Sequence, residues 1–412
     1  MKRFIYIILF VLISCHGLQA QSSVWDGTRS RWVKGNGTLQ NPFLIEEAAH
    51  LAYLADVVNA GVLYADSFFV LTVDIDLNHL PWTPIGKDAN AFYAGSFDGN
   101  YHRINNLNIQ DTTYRSGIVY AGLFGYVLDA DIRNLALLSD NHIFVSFVSS
   151  YNFYVGGIAA YAFASQISNC CFEGSIAVYA YNSYAYVGGI LAYCSAGTGM
   201  KHCINRASIL ASSEGIAYAG GIMADGDNSQ PLIQGCYNLG NIQAIAYNYT
   251  YAGGISAKLN YKASLINCFN SGEINANSNY YAYVGGLTGF GNSVTIRNSF
   301  NEGNIYAKAY DLAYAGGLAG FIDYPSEFSN VYNTGDVFSH SLYYKSFAGG
   351  IAAYVYNFSH VLTRFTNCYH CRMLTSLSSM MSFSGGIAAE IVSQAELNRC
   401  YYLTTSQQSF SN

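Results

Sequence analysis

The sequence predicts an all-β chain wound into a right-handed parallel β-helix, a solenoid whose repeat is about 32 residues, with a helical cap at its N-terminal end. Three observations predict it. Eight Gly-Gly pairs begin at Gly156, Gly188, Gly220, Gly253, Gly285, Gly316, Gly349 and Gly385, in steps of 32, 32, 33, 32, 31, 33 and 36 residues. Each has Tyr or Phe two residues before it and Ile or Leu directly after. Helix breakers recur every few residues with β-branched or aromatic residues between them, which reads as short strands joined by turns. The 412 residues are 51% hydrophobic and 11% charged with only five prolines, enough for a large core and without a disordered bias. Such a period marks stacked units, each covering the face its neighbour leaves bare.

The first twenty residues read as an export leader: Lys2 and Arg3, an apolar run from Phe4 to Ile13, then small residues. Two exits compete. Leu12-Ile13-Ser14-Cys15 resembles a bacterial lipoprotein box, which would lipidate Cys15, and Leu18-Gln19-Ala20 before Gln21 resembles an ordinary signal-peptidase site. No later segment offers about 18 uninterrupted apolar residues, so the only membrane attachment expected is a lipid on Cys15. Net charge is −6, and −8 once Lys2 and Arg3 leave with the leader; nothing here attracts phosphate backbones, and nucleic acid is not an expected partner.

Residues 21–110 hold the cap and first coils. Trp25-Asp26-Gly27 and Gly35-Asn36-Gly37-Thr38 read as loop and Phe43-Leu44-Ile45 as a strand. A helix is expected from Glu46 to Ala60, with Leu51, Leu54, Ala55 and Val58 on one face, Glu46 and Glu47 favouring its N-terminus and Gly61 at its end. Its apolar face is expected to rest on the open end of the stack, whose strand edges need cover. Further strands are expected at Phe68 to Leu77 and from Ala94 to Ile104 and Leu107.

Residues 111–403 are the repeats and 404–412 a polar tail. Each unit is read as three strands: one carrying Tyr-x-Gly-Gly-Ile/Leu-x-Ala/Gly, as in Tyr251 to Ala257; one carrying Asn-Cys/Ser/Val-Phe/Tyr-Asn-x-Gly-x-Ile/Val, as in Asn267 to Ile274; and a variable return rich in Tyr, Ala and Asn. At about 4.8 Å per coil, eight or nine coils make a rod of roughly 40 Å.

Gly122-Leu123-Phe124-Gly125, echoed by Gly286-Leu287-Thr288-Gly289 and Gly317-Leu318-Ala319-Gly320, resembles the GLUG motif of secreted and surface proteins of bacteria. Asp74-Ile75-Asp76-Leu77, Trp82-Thr83-Pro84-Ile85-Gly86 and Phe97-Asp98-Gly99 with Ile104-Asn105-Asn106-Leu107 look like the segment that commonly precedes it. The resemblance spans about Pro42 to Leu403 and implies a β-helical, adhesin-like surface protein. Members of the family include N-terminal regions of immunoglobulin-cleaving metallopeptidases, but the His-Glu-x-x-His run those enzymes need does not occur in this chain.

Columns of like residues carry the remaining readings. Leu135, Cys170, Cys203, Cys236, Cys268, Ser299, Val331, Cys368 and Cys400 share one position, which asks for a small buried side chain rather than thiol chemistry. Disulfides stay open, since export permits them, and Cys368, His370 and Cys371 make only half a zinc site. Asn205, Asn238, Asn270, Asn301 and Asn333 form a second column, read as an amide ladder with a minor sugar-binding alternative. The glycines two residues on, Gly240, Gly272, Gly303 and Gly335, are read as supplying left-handed backbone. Asp225-Gly226-Asp227-Asn228 reads as a surface turn without the full calcium-loop spacing. No metal or other cofactor is expected.

For catalysis the best acidic group is Glu273, Glu302 and Asp336 on successive coils, with Glu273 and Glu302 roughly 8 Å apart, inside the range a glycosidase uses. Glu173 and Glu302 share a column but sit four coils apart. Tyr154, Tyr186, Tyr218, Tyr251, Tyr283, Tyr314, Phe347 and Phe383 are expected to stack along the core or its edge. Other tyrosines lie in the return segments, and Tyr249, Tyr281 and Tyr344 are the candidate ligand-binding residues, because exposed tyrosine offers large amphipathic area at low entropic cost. The expected function is a cell-surface binding scaffold for a glycan or a protein; the alternative is a β-helical polysaccharide lyase or glycoside hydrolase.

Overall fold

The Gly-Gly segments stand in one file. Gly156 pairs in parallel with Gly188, and the series continues through Gly220, Gly253, Gly285, Gly316 and Gly349 to Gly385. The computed structural model describes residues 22–112, 117–226, 230–357, 359, 361–392 and 394–403. The leader with Cys15 and Gln21, the tail 404–412, and Asp227 and Asn228 lie outside them. The described chain is a parallel β-solenoid with two nine-stranded sheets and a larger sheet wrapping the rest of each coil.

A representative coil has five strand segments rather than three: Tyr249–Gly253, Ser256–Leu259, Ser264–Ile266, Phe269–Asn270 and Ile274–Ser278. The motif expected to be one strand is broken at its glycines, which form a corner between the two nine-stranded sheets. Close approach explains the pair. A Cβ on the first glycine, Gly253, would lie 2.0 Å from the Ser256 carbonyl oxygen; one on the second, Gly254, would lie 2.3 Å from the Gly286 oxygen and 2.4 Å from Asn270 Cγ. The two columns legible in the sequence therefore meet, each Asn side chain filling the space that the second glycine leaves open.

Those Asn side chains are fully buried and bonded along the rod. Asn205 Nδ2 donates to Asn238 Oδ1, Asn238 to Asn270, Asn270 to Asn301 and Asn301 to Asn333, each at 2.7 Å. The second amide hydrogen goes to a carbonyl two residues on, as in Asn270 to Gly272 at 2.9 Å. Nothing of these amides faces solvent, which rules out the sugar-binding alternative. The left-handed residue is also elsewhere: Asn267, Asn298, Asn330 and Asn367 have φ between 50° and 56°. Asn tolerates that region because its short polar side chain bonds locally. Gly240, Gly272, Gly303 and Gly335 are small for a different reason, since a Cβ at any of them would fall 1.9 to 2.0 Å from a carbonyl of the preceding coil.

Apolar columns fill the interior. Ile143, Ile176, Ile209, Ile242, Ile274, Ile305, Val337 and Leu374 succeed one another in register, all buried, each contributing about 1.5 to 3 kcal/mol. The cysteine column packs likewise: Cys170, Cys203, Cys236, Cys268 and Cys368 are 0 to 1% exposed, and all nine described cysteines are free. Their thiols donate weakly to backbone carbonyls, as Cys203 Sγ does to Lys201 O at 3.4 Å. Ser299 takes the same place, donating to Arg297 O at 2.7 Å and accepting from Cys268 N at 3.0 Å.

The cap is the helix Ala48–Asn59, whose Leu51, Leu54, Ala55 and Val58 join the same core as the first strands. It starts two residues later than expected because Glu46 extends from the strand Phe43–Ile45. Neither glutamate caps it: Glu46 pairs with Lys34 at 2.6 Å, Glu47 accepts from Ser30, and Ser23 Oγ takes the Ala48 N–H at 2.9 Å.

Candidate functional site

Outward side chains beside the glycine corner fill the crease between the two nine-stranded sheets with aromatic rings. The expected column from Tyr154 through Tyr186, Tyr218, Tyr251, Tyr283, Tyr314 and Phe347 to Phe383 is there, extended by Tyr120 before it, and the rings stack with centroids 4.5 to 5.7 Å apart and planes within 16°. A second column, absent from the sequence reading, meets it edge-on. Tyr126, Tyr161 and Tyr193 stack at one end and Phe290, Phe321 and Tyr354 at the other, with Tyr154 crossing Tyr161 at 89° and Tyr314 crossing Phe321 at 88°. The signal for it is an aromatic residue four positions after the second glycine, interrupted by Asp225 and Lys258.

Those two face each other in the crease, Lys258 Nζ lying 3.9 Å from Asp225 Oδ2 and 5.9 Å from the centre of the Tyr218 ring. Asp225 is 5% exposed and lies in the strand Met223–Gly226, so the described half of the expected surface turn, Asp225 and Gly226, is a buried strand end. Burial pushes the hydroxyls of Tyr186, Tyr218, Tyr251 and Tyr283 well up, so they stay neutral donors. Because each ring covers its neighbours' faces, the crease presents edges to a ligand and acts chiefly as a second, external core.

Rings are exposed instead at the turn leading into several Gly-Gly strands, although Tyr310 and Tyr343 stack there on each other with centroids 5.5 Å apart and planes within 9°. Four consecutive coils each place a tyrosine there: Tyr247, Tyr280, Tyr310 and Tyr343, 41 to 56% exposed. Of the expected binding residues, Tyr249 and Tyr281 are neighbours in this region, their centroids 5.1 Å apart and planes tilted by 36°, and Tyr280 lies across Tyr247 at 78°. Burial, with Tyr249 and Asp311 beside it, raises the Tyr281 hydroxyl. Tyr344 sits two coils further along, under the Lys345 ammonium 5.0 Å from its ring centre. The structure thus brings two of the three together and strings the third along the same ridge.

The three carboxylates stand on successive coils, as the register requires. Glu273 and Asp336 occupy one column two coils apart with Asn304 between them, fixed by the Ile274, Ile305 and Val337 register, and Glu302 stands two residues aside. Glu273 and Glu302 are exposed and Asp336 half-buried. Asp336 Oδ1 accepts the Met373 N–H at 3.2 Å and Asn304 Oδ1 the Asp336 N–H at 3.1 Å, so the column ties turns together. Glu173, four coils away as expected, lies 3.9 Å from Arg206. The half zinc site is closed too: His370 is 1% exposed, Nδ1 facing Asn333 Nδ2 at 3.1 Å and Nε2 facing Arg372 O at 2.8 Å. Both ring nitrogens are used, and no group of three metal-ligating side chains occurs among the described residues.

No family model matches the chain. A 148-residue segment is 36% identical to a protein of Evansella cellulosilytica named "Putative Gly-rich membrane protein". That segment spans 34% of this chain and 15% of the relative. Among solved structures, a "putative immunoglobulin A1 protease" from Bacteroides ovatus is 17% identical with a TM-score of 0.46, covering 92% of this chain and 87% of that one. Another, "IgA1 Protease", is 16% identical with a TM-score of 0.45, covering 88% of this chain and 22% of that one. No helix among the described residues is long and apolar enough to cross a membrane.

Proposed function

We propose that this chain is an exported, cell-surface solenoid of the GLUG type whose turn tyrosines hold a glycan or a surface protein. The observation that carries the reading is the ridge of exposed tyrosines on consecutive coils, placed by strands on both sides, with rings tilted or crossed at one end and stacked in parallel at the other. Tyrosine there offers apolar area and a hydroxyl without the entropic cost of a long side chain. The leader, the −8 charge of the remaining chain and a relative named as a membrane protein support a place at the cell envelope. Asp336 and Asn304 each spend a side-chain oxygen on the backbone of the next turn, which favours binding over cleavage.

A glycan array and a panel of surface proteins, probed with the chain from Gln21, test the reading. Retention of a ligand, lost when Tyr249, Tyr281 and Tyr344 are together changed to Ser, is the expected result. Retention unaltered by that triple change removes the ridge from the account, and release of reducing ends that stops on Glu302→Gln replaces binding with catalysis.

A further inference from the structure

At the far end of the same strands from the tyrosine ridge, an axial groove of about 390 Å³ crosses four coils. Its line of hydrogen-bonding residues is Ser175, Ser208, Asn241 and Glu273, aligned one per coil by the register of the strands that follow them. Gln243 and Asn275 form one bank, and Ala177 with Leu210 supplies apolar surface. The groove exists because Ser175, Ala177 and Ser208 are small where later coils carry amides. That volume lies within the range of small-ligand sites, about 300 to 1,000 Å³.

Donors are pre-set in it. Asn241 Oδ1 is taken by the Glu273 N–H at 3.0 Å, which turns the amide NH₂ of Asn241 outward. Gln243, Asn275 and Ser208 are exposed. No basic residue lines the groove, and Glu273 is its only carboxylate. A row of hydroxyls and amides recurring every ~4.8 Å suits a ligand with polar groups at a similar repeat, and the lone carboxylate disfavours an anionic one.

We infer that this groove is a saccharide subsite for an uncharged linear oligosaccharide lying along the solenoid axis, with Asn241, Gln243 and Asn275 donating to its hydroxyls and Glu273 excluding acidic sugars. It goes beyond the ridge and binds whether or not the ridge does. Calorimetric titration of the chain from Gln21 with cellotetraose, β-1,4-mannotetraose, tetra-N-acetylchitotetraose and tetragalacturonate tests it. At least one neutral tetramer binds; tetragalacturonate binds at least ~10-fold more weakly. Ser208→Trp fills the groove and abolishes binding, and Asn275→Ala, which needs no repacking, weakens it about 2- to 10-fold. Tyr247→Ser leaves it unchanged, which separates the groove from the ridge. Failure of all three neutral tetramers to bind, undiminished binding in both groove variants, or equal binding of tetragalacturonate overturns the inference, and none of these outcomes bears on the glycan or protein ligand of the ridge.

Discussion

Replacing Asn270 by Ala interrupts the buried amide ladder at its centre. Asn270 accepts from Asn238 Nδ2 and donates to Asn301 Oδ1, both at 2.7 Å, and to Gly272 O at 2.9 Å. The change strips three buried groups of one partner each. Asn238 Nδ2 keeps Gly240 O and Asn301 Oδ1 keeps the Gly303 N–H, so neither is wholly abandoned, but neither can reach water. At about 1 to 1.5 kcal/mol for each lost buried bond, the expected loss is roughly 3 to 5 kcal/mol. Equilibrium urea unfolding, with Asn279→Ala as an exposed reference one turn later, gives the comparison. Because solenoid stability is a sum over neighbouring coils, hydrogen exchange should locate the weakening in the coils on either side of residue 270. A loss no larger than that of Asn279→Ala would refute the claim that the ladder is a stabilising network.

His370 continues that ladder, so its protonation should loosen the last coils. Burial holds its pKa below the ordinary 6.5 although Asp336 favours the charged form, so the neutral ring's contribution is complete above pH 6.5 and lost as pH falls from there through the folded-state pKa. His370→Asn should flatten that part of the stability profile in urea unfolding between pH 7.5 and 5; an unchanged slope would mean the ring does not titrate with folding. The column thiols should be shielded by burial: Cys203, Cys236 and Cys268 are 0% exposed, so although hydrogen bonds with Cys170 and Cys236 lower the Cys203 thiol while burial pushes Cys268 up to about 12, a thiol reagent at neutral pH should label all three only after unfolding. Cys236→Ser should stay within about 1 kcal/mol of the native protein, as Ser299 already fills that place.

The stack was legible because its columns are chemically narrow. Gly253 and Gly254 each sit where a Cβ would strike backbone, and Asn270 must bond both ways along the axis, so the Asn column holds through five coils from Asn205 to Asn333 before His370 takes the place. What the sequence hid was direction. Glycine punctuates a strand and a corner alike, so Tyr251 to Ala257 read as one strand although it turns at the pair. The left-handed turn was assigned to Gly272, whose smallness reflects contact with Gly240 O, while Asn267 holds the positive φ. The second aromatic column escaped notice because Asp225, Lys258 and Glu390 replace rings in it. For the ridge, Tyr249 and Tyr281 were named from composition, whereas the more exposed Tyr310 was not; exposure at a two-residue turn depends on which residue leaves the strand first, and periodicity does not carry that.

The account stands on turn residues of successive coils lying in a row along one axis. The distance between spin labels carried on non-natural residues at Glu214 and Ser379 measures it directly. These positions occupy the same turn five coils apart, joined through Tyr247, Asn279, Tyr310 and Tyr343. The account predicts about 24 Å in a single narrow distribution; a broad distribution, or a separation near twice that value, would contradict it.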